Sequence, residues 1–224
     1  MTHNENCPPL IGDRFPEVEV RTTLGKKKLP NDYEGKWFVL FSHPGDFTPV
    51  CTTEFISIQR KSEQFRALNT ELIGLSIDGV FSHIKWVEWI RDHFQVSISF
   101  PIIADELGVL AKKLGMLSPQ VGPLTVRTVY IVDPKGKIRL MMNYPPEVGR
   151  NSEELLRVLK ALQTASAHKV ATPANWPHNE YLGNQVMLPP PSNFYSIQKR
   201  LEDANLGKVN CLDWWFCYKS LEKS

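Results

Sequence analysis

The sequence lacks the features that mark membrane, secreted and nucleic-acid-binding proteins. None of its apolar runs approaches the ~20 residues that a membrane-spanning helix needs. The polar N-terminus, Met1–Cys7, has no apolar segment of the kind that a signal peptide contains, so we expect a cytoplasmic protein with no membrane partner. The formal net charge is only +2, which is too small to predict nucleic-acid binding. Repeats and low-complexity segments are also absent.

Cysteine is scarce, with four residues in a chain of 224. Thiols are mostly reduced in the cytosol, so four cysteines indicate redox or metal chemistry rather than a disulfide framework. Cys7 lies in a loose proline-containing end, and we assign it no role. Cys211 and Cys217 lie near the C-terminus, and no neighbouring cysteine or histidine completes the four ligands of a zinc site. We therefore predict neither a metal nor a cofactor.

The chain is organised around the stretch from residue 42 to residue 55. Before it, Trp37–Phe41 is an unbroken apolar run, which is typical of a strand buried on both faces. After it, apolar residues recur at helical spacing: Phe55, Ile58, Phe65 and Leu68. Thr48 suits the N-cap of this helix, and Pro49 suits its first position, where a missing N–H costs nothing. The stretch is therefore predicted to be a loop between a central strand and a helix that runs to about residue 68.

Cys51 falls in the first turn of the predicted helix. Backbone N–H groups there have no intrahelical acceptor and favour an anion, which a thiolate is. The alternative is that Cys51 is a small buried hydrophobe, as most free cysteines are. Because Cys51 follows a cap and a proline rather than an apolar run, we favour a reactive thiol.

These residues carry a resemblance to a known family. The spacing Pro44-x-x-x-Thr48-x-x-Cys51 resembles the active-site signature of the peroxiredoxins. The longer string Ser-His-Pro-Gly-Asp-Phe-Thr-Pro-Val-Cys-Thr-Thr-Glu is similar to that of the one-cysteine subfamily, whose archaeal and bacterial members carry a long C-terminal arm. The resemblance extends from about Ile11 to Cys217. It implies an α/β thioredoxin-like fold, with a mixed central sheet flanked by helices and an extended C-terminal arm.

The order of the predicted elements suits that fold. Leu72–Ile77 is a second buried strand, and a strand–helix–strand order makes it parallel to the first. Val126–Val132 and Lys137–Met142 are predicted to form a hairpin around the turn Asp133–Gly136. Between the second strand and this hairpin, a helix is predicted to begin at Ser82. Its predicted buried side consists of Ile84, Val87, Ile90 and Phe94.

The composition changes after the helix that Ser152 begins, and we place a domain boundary there. Residues 1–171 are predicted to form the peroxidase domain and residues 172–224 a dimerisation arm. The arm is broken by prolines, yet it is too aromatic to be a disordered tail. Its aromatic residues must be buried against something, and a second subunit is the expected surface. The resemblance implies a homodimer, assembled as a pentamer of dimers.

The resemblance also implies the reaction. The Cys51 thiolate attacks hydrogen peroxide or an organic hydroperoxide and becomes a sulfenic acid, which a thioredoxin-like or other thiol donor finally reduces. In the family, Thr48 helps hold the peroxide and Pro44 shields the thiolate. The alternatives are that Thr48 only caps the helix and that Pro44 only stiffens the loop.

Arg127 is the second residue with an unusual position. Strand alternation places it with Val129 and Ile131, which should face the core. A guanidinium buried there is costly unless it meets an anion or an acceptor. Arg127 could instead reach out to water or pair with Glu54. The resemblance matches Arg127 to the family's peroxide-binding arginine, so we favour the site.

Four further residues are candidates to support this site. His43 could orient the loop or donate a hydrogen bond near the thiolate, or it could be an ordinary loop histidine. Arg150 resembles a second arginine that buttresses the site, with a surface arginine as the alternative. Glu54 and Trp89 could support the site from behind.

The resemblance implies that a cysteine in the arm of a partner subunit resolves the sulfenic acid. We favour Cys211, with Cys217 as the other candidate, and two buried arm cysteines as the structural alternative. Inside a straight helix these two residues would lie ~9 Å apart, beyond the ~7 Å limit for a disulfide. A direct disulfide between them would require a looped or unwound arm.

Two other functions are alternatives to peroxide reduction. Some relatives are described as lipid hydrolases, an activity associated with a Gly-Asp-Ser-Trp stretch before the central strand. The matching place here, Asn31–Trp37, contains no serine. The second alternative is a chaperone-like ring assembly without turnover, which the aromatic arm would also fit.

Overall fold

The computed structural model describes residues 7–118, 120, 122 and 124–221. Backbone contacts divide the chain into two compact units, 1–152 and 153–224. The domain boundary after residue 171 was drawn from composition, and it stays a prediction.

The first unit is built on one sheet of seven strands. In chain order these are β1 (Val18–Thr22), β2 (Gly25–Leu29), β3 (Trp37–Ser42), β4 (Thr70–Ser76), β5 (Ile102–Ala104), β6 (Arg127–Val132) and β7 (Ile138–Tyr144). Their order in the sheet is β2-β1-β5-β4-β3-β6-β7. The β3–β4 and β4–β5 pairs are parallel and the others antiparallel. The sheet is therefore mixed, as predicted, with β3 and β4 parallel and β6 and β7 in a hairpin.

Among the described residues of this unit, the α-helices are α1 (Pro49–Gln59), α2 (Ser62–Ala67), α3 (Val80–Phe94) and α4 (Val109–Lys113), and Asn31–Tyr33 forms a short 3-10 helix. The prediction of one continuous helix from the loop to residue 68 is wrong, because α1 and α2 are separate. The backbone N–H of Lys61 bonds the carbonyl of Ile58, three residues back, and this tighter turn ends α1.

Strand β3 is buried along its whole length, as its apolar run predicts. On one face, Phe38 and Leu40 belong to a cluster that includes Phe15. On the other face, the ring of Phe41 lies 5.3 Å from that of Phe55 in α1 and 5.5 Å from that of Phe100. A strand held on both faces gives a fixed starting point to the loop that follows it.

The predicted buried side of α3 is largely wrong. Ile84 and Phe94 are 42% and 46% exposed. The buried residues of α3 are Val80, His83, Trp86 and Ile90. The prediction followed hydrophobicity, whereas one buried position is occupied by a histidine, and a polar side chain is tolerated there only when its nitrogens are hydrogen-bonded.

The second unit contains α5 (Ser152–His168), which begins at the boundary, and α6 (Phe194–Asn205). Three short strands, β8 (Val186–Met187), β9 (Asn210–Asp213) and β10 (Phe216–Lys219), form a sheet in the order β8-β10-β9. Several aromatic side chains are exposed: Tyr181 at 94%, Phe194 at 85% and Tyr195 at 86%. Within the described ranges, no helix is both long enough and apolar enough to cross a lipid bilayer.

Candidate active site

The loop between β3 and α1 places Cys51 in the first turn of the helix. Thr48 is the N-cap residue, with an extended backbone, and Pro49 occupies the first helical position. The Thr48 hydroxyl donates to the carbonyl oxygen of Gly45 at 2.8 Å, so it closes the loop rather than capping a helix N–H. Pro44 is buried in the same loop. Because the Thr48 side chain does not cap α1, the backbone N–H groups of the first turn can donate to another acceptor.

Cys51 is fully buried, and a guanidinium nitrogen lies against its sulfur. Arg127 Nη1 is 3.3 Å from Cys51 Sγ. The other two guanidinium nitrogens, Nε and Nη2, donate to the carbonyl oxygen of Pro146 at 2.9 and 2.7 Å. Arg127 is only 2% exposed, and its strand lies between β3 and β7 rather than at an edge. The side chain therefore does not reach out to water.

Glu54, one helical turn after Cys51, joins two arginines. Its carboxylate accepts from Arg127 Nη1 at 2.6 Å. It also accepts from Arg150 through Nε at 2.7 Å, Nη2 at 2.8 Å and the backbone N–H at 2.8 Å. Burial by itself raises the pKa of the Glu54 carboxyl, but the hydrogen bonds and charge of Arg150, with the charge of Arg127, hold that pKa below its ordinary value. Glu54 is therefore an ionised acceptor at neutral pH.

Arg150 is a buried side chain, at 8% exposure, rather than a surface arginine. Besides Glu54, it contacts the carbonyl oxygen of Thr128 at 3.3 Å and lies 5.4 Å from the ring centroid of Phe41. It thereby links α1 to β3 and β6, and it holds the Glu54 carboxylate in a fixed orientation.

The buried group of Arg127, Arg150 and Glu54 carries a net charge beside Cys51. Two guanidinium groups and one carboxylate leave one unit of positive charge. A buried unpaired charge is costly. A thiolate at Cys51 would make the group electrically neutral, and Arg127 is the cation that faces it.

His43 and Trp89 lie in different surroundings. His43 is fully buried, and its Nε2 lies 2.9 Å from Asp46 Oδ1. Its ring stacks on that of Trp86 at 5.1 Å. Trp89 is 38% exposed and stacks on His93 at 4.3 Å. No polar contact in the described part of the chain joins Trp89 to the group around Cys51.

The arm cysteines are bonded to each other. Cys211 and Cys217 are register partners in the β9–β10 hairpin, and a disulfide joins them. The arm is thus looped at this point, which is the condition that a direct disulfide requires. Cys217 is fully buried and Cys211 is partly buried. Among the described cysteines, Cys7 and Cys51 are free, and Cys7 is exposed.

Comparisons with known proteins identify the family of this chain. A family model described as the AhpC/TSA family matches residues 11–141, and one described as the C-terminal domain of 1-Cys peroxiredoxin matches residues 161–203. A peroxiredoxin of Methanocaldococcus jannaschii is 59% identical over 216 residues, which are 96% of this chain and 100% of that protein. The chain belongs to the peroxiredoxin family. This peroxiredoxin is also 56% identical to one of Archaeoglobus fulgidus over 213 residues, 95% of this chain and 99% of that one.

Solved peroxiredoxin structures share the fold. A yeast mitochondrial 1-Cys peroxiredoxin has a TM-score of 0.82 at 37% identity and covers 94% of this chain and 99% of its own. A cysteine-to-serine mutant of peroxiredoxin 6 from Arenicola marina has a TM-score of 0.82 at 36% identity, and it covers 96% of this chain and 100% of its own. They confirm the predicted thioredoxin-like fold with a C-terminal extension. Membership of the family makes this peroxiredoxin a peroxidase, an oxidoreductase that acts on peroxide.

Sequence reasoning did not find three residues that hold this peroxiredoxin's site: Asp46, His83 and Pro146. Asp46 lies inside the quoted motif string, so its position was available, but its partner His83 is 37 residues away. The signal for His83 is its spacing, since it lies three residues before the buried Trp86 and seven before Ile90. Pro146 contributes a backbone carbonyl, for which no sequence signal exists.

Proposed function

We propose that this peroxiredoxin reduces hydrogen peroxide and organic hydroperoxides at Cys51 and that the two arm cysteines return Cys51 to its thiol. The observation that carries the proposal is the contact of Arg127 Nη1 with Cys51 Sγ at 3.3 Å. A cation at that distance favours the thiolate, which is the nucleophile. The same guanidinium is in place to stabilise the negative charge that develops on the peroxide oxygens during attack.

In the first step, the Cys51 thiolate attacks one peroxide oxygen, and the O–O bond breaks. The attacked oxygen stays on sulfur as the sulfenic acid. The other oxygen leaves with the electron pair, takes a proton from water, and becomes water or an alcohol. Arg127 and the backbone N–H of Cys51 are the donors for the two oxygens. The Thr48 hydroxyl, which donates to Gly45, accepts from the O–H of the peroxide. Pro44 keeps bulk water from the thiolate.

In the second step, a reduced arm cysteine of a partner subunit attacks the sulfenic sulfur of Cys51. A mixed disulfide forms between the two cysteines, and water is released. The second arm cysteine then attacks the first, and Cys51 leaves as a thiolate. The product is the Cys211–Cys217 disulfide, and the observed pairing of these residues supports it as an end point. We keep Cys211 as the favoured first attacker, with Cys217 as the other candidate.

Two electrons from an external dithiol then reduce the arm disulfide. The related yeast mitochondrial 1-Cys peroxiredoxin is described as resolved via glutathione/thioredoxin systems. A donor of that chemical class, thioredoxin or a similar thiol, suits an arm disulfide that has one partly exposed cysteine.

The proposal includes assembly into homodimers, arranged as a pentamer of dimers. The supporting observation is the exposure of aromatic residues in the second unit, such as Phe194 at 85% and Tyr195 at 86%. Exposed apolar surface of this kind is typical of an interaction site.

The test is peroxide consumption with thioredoxin, thioredoxin reductase and NADPH. We expect Cys51→Ser to abolish turnover, and Cys211→Ser to form the sulfenic acid once without efficient recycling. Cys7→Ser is the matched control and should behave as wild type, because Cys7 is exposed and outside the site. Sustained turnover by Cys51→Ser would contradict the proposal. Equal recycling by wild type and by the double variant C211S/C217S would contradict its second step.

A further inference from the structure

Beside the active-site loop, three buried side chains form a second polar group, the imidazole–carboxylate cluster of His43, Asp46 and His83. Asp46 accepts from both histidines: His43 Nε2 lies 2.9 Å from Oδ1, and His83 Nδ1 lies 2.8 Å from Oδ2. The side chains of both histidines are 0% exposed and that of Asp46 is 1% exposed. His43 and Asp46 belong to the loop that leads to Cys51, whereas His83 belongs to α3.

The hydrogen bonds of His83 determine its charge. Its Nε2 faces the carbonyl oxygen of Ile103 at 3.2 Å, and a carbonyl oxygen can only accept. Its Nδ1 faces the Asp46 carboxylate. Burial by itself raises the pKa of Asp46, but hydrogen bonds from His43 and His83 hold that pKa below its ordinary range, so this carboxylate is also an acceptor only. Both ring nitrogens of His83 therefore face acceptors, an arrangement that only a ring with a proton on each nitrogen satisfies.

His43 is in the opposite state. Its Nε2 donates to Asp46, while its Nδ1 has no hydrogen-bond partner among the described residues. Burial lowers the pKa of His43 below its ordinary value, although Asp46 opposes this. His43 is therefore a neutral imidazole that carries its proton on Nε2. In this tautomer the remaining nitrogen, Nδ1, is an acceptor.

Two imidazoles and a carboxylate are also a common set of metal ligands. The distances here are those of hydrogen bonds rather than those between ligands of one ion. Zinc bonds of ~2.0 Å in a tetrahedral site place ligand atoms ~3.3 Å apart, whereas these atoms are 2.8 and 2.9 Å apart. Shared protons account for the shorter spacing.

The cluster holds the loop from the side of α3. Asp46 has a second attachment, because its backbone N–H donates to Asp78 Oδ2 at 3.0 Å. The carbonyl oxygen of His43 accepts from the Thr125 hydroxyl at 2.6 Å. Pro44 and Thr48 lie between and just after these anchored residues. Of these anchors, only His83 joins the Asp46 carboxylate to α3.

We propose that His83 is a positioning residue of the peroxidase site: as an imidazolium it anchors Asp46, and Asp46 fixes the loop that presents Pro44 and Thr48 to Cys51. This inference rests on the proposed function. Without His83, the buried Asp46 carboxylate would have only a neutral donor on its side chain. A buried charge that loses its partner must be rehydrated or protonated, and either change moves the loop.

The kinetic test compares three variants in single-turnover oxidation of Cys51 by hydrogen peroxide, with trapping of the sulfenic acid. His83→Leu should lower the second-order rate constant by about tenfold to a hundredfold, the loss that a displacement of ~1 Å produces. His83→Asn should recover part of the rate, because its amide nitrogen supplies a donor where Nδ1 was. The control is Ile90→Ala, which alters a buried residue of the same helix. It should lower stability without changing the rate constant.

A spectroscopic test decides the charge independently of activity. Nitrogen-15 spectra of histidine-labelled wild type at neutral pH should contain one histidine with two protonated ring nitrogens and one with a proton on Nε2 alone. Loss of these signals in His83→Asn and His43→Asn assigns them. A neutral His83, or a stoichiometric metal ion in the purified protein, would overturn the inference even if His83→Leu failed to fold.

The two proposals fail in different ways. If wild-type Cys51 is not oxidised by peroxide, the proposed function is wrong, whatever the charge of His83. If wild type reacts and folded His83→Leu reacts equally fast, the positioning role is wrong and the proposed function stands.

Discussion

A single guanidinium nitrogen of Arg127 lies 3.3 Å from the sulfur of Cys51 while it also donates to Glu54 at 2.6 Å. The other nitrogens of Arg127 are taken up by the carbonyl oxygen of Pro146. One side chain thus meets three partners in fixed directions. The planar fork of arginine can do this, and the point charge of lysine cannot.

Replacement of Arg127 by lysine should therefore slow Cys51 oxidation although the charge is kept. We expect a loss of about a hundredfold or more, the usual effect of removing one preorganised donor from a developing charge. The measurement is the rate of sulfenic acid formation at several peroxide concentrations. Arg21→Lys is the control, since Arg21 is an exposed arginine of the same unit that contacts Phe81. An unchanged rate in Arg127→Lys would show that the contact with the sulfur is incidental.

Glu54→Gln should destabilise the protein in a pH-dependent way. The substitution leaves two buried guanidinium groups without their carboxylate, and breaking a buried pair costs about 3–5 kcal/mol. Because the folded-state pKa of Glu54 is lowered, its contribution is fully present above the unfolded-state value of ~4.3 and is lost as the pH falls through the folded-state pKa. The stability difference from wild type should thus be largest near neutral pH and shrink in acid.

Urea unfolding at a series of pH values measures that difference. Glu63→Gln is the control, because the Glu63 side chain is 79% exposed and its partner, Arg66, is an exposed arginine. Its effect should be small and nearly independent of pH. A Glu54→Gln difference that stayed constant from neutral pH into acid would contradict the role given to the carboxylate.

The parts of the molecule that depend on local pattern could be predicted from the sequence. The apolar run at residues 37–41 specified a strand buried on both faces, and the cap and proline before Cys51 specified a helix start. Strand alternation placed Arg127 among core residues, where it is found at 2% exposure. In each case a few neighbouring residues contain the whole signal.

The parts that depend on distant pairing could not be predicted in this way. Arg150 and Glu54 are 96 residues apart, and nothing in either segment names the other. The same holds for His83 and Asp46. The hydrophobic pattern of α3 was misleading because a hydrogen-bonded histidine, rather than an apolar side chain, occupies one of its buried positions.

The arm disulfide should exchange with external thiols at Cys211. Cys217 is 0% exposed, whereas Cys211 is partly exposed, and a thiolate must reach the sulfur that it attacks. Attack on Cys211 forms a mixed disulfide there and releases Cys217 as a thiolate. In a C7S/C51S background, limiting glutathione followed by an alkylating agent should place glutathione on Cys211 and the alkyl group on Cys217.

Peptide mapping by mass spectrometry under non-reducing conditions distinguishes the two sulfurs. Rapid acid quenching prevents the labels from moving between them, because exchange requires a thiolate. Denatured protein is the matched control and should lose the preference, since burial of Cys217 is then removed. A preference for Cys217 in the folded protein would contradict the prediction.

Aromatic residues of the second unit should control assembly. Phe194 is 85% exposed at the start of α6, and burying such a side chain at an interface contributes about 1.5–3 kcal/mol. Phe194→Glu removes this contribution and adds a charge that must be desolvated, so it should raise the dissociation constant at least about tenfold. Gln198→Glu adds the same charge to an exposed polar position of the same helix and is the matched control. Sedimentation velocity over a range of concentrations should show Phe194→Glu dissociating where wild type and Gln198→Glu remain associated. Identical sedimentation of all three proteins would mean that this exposed surface is not the interface.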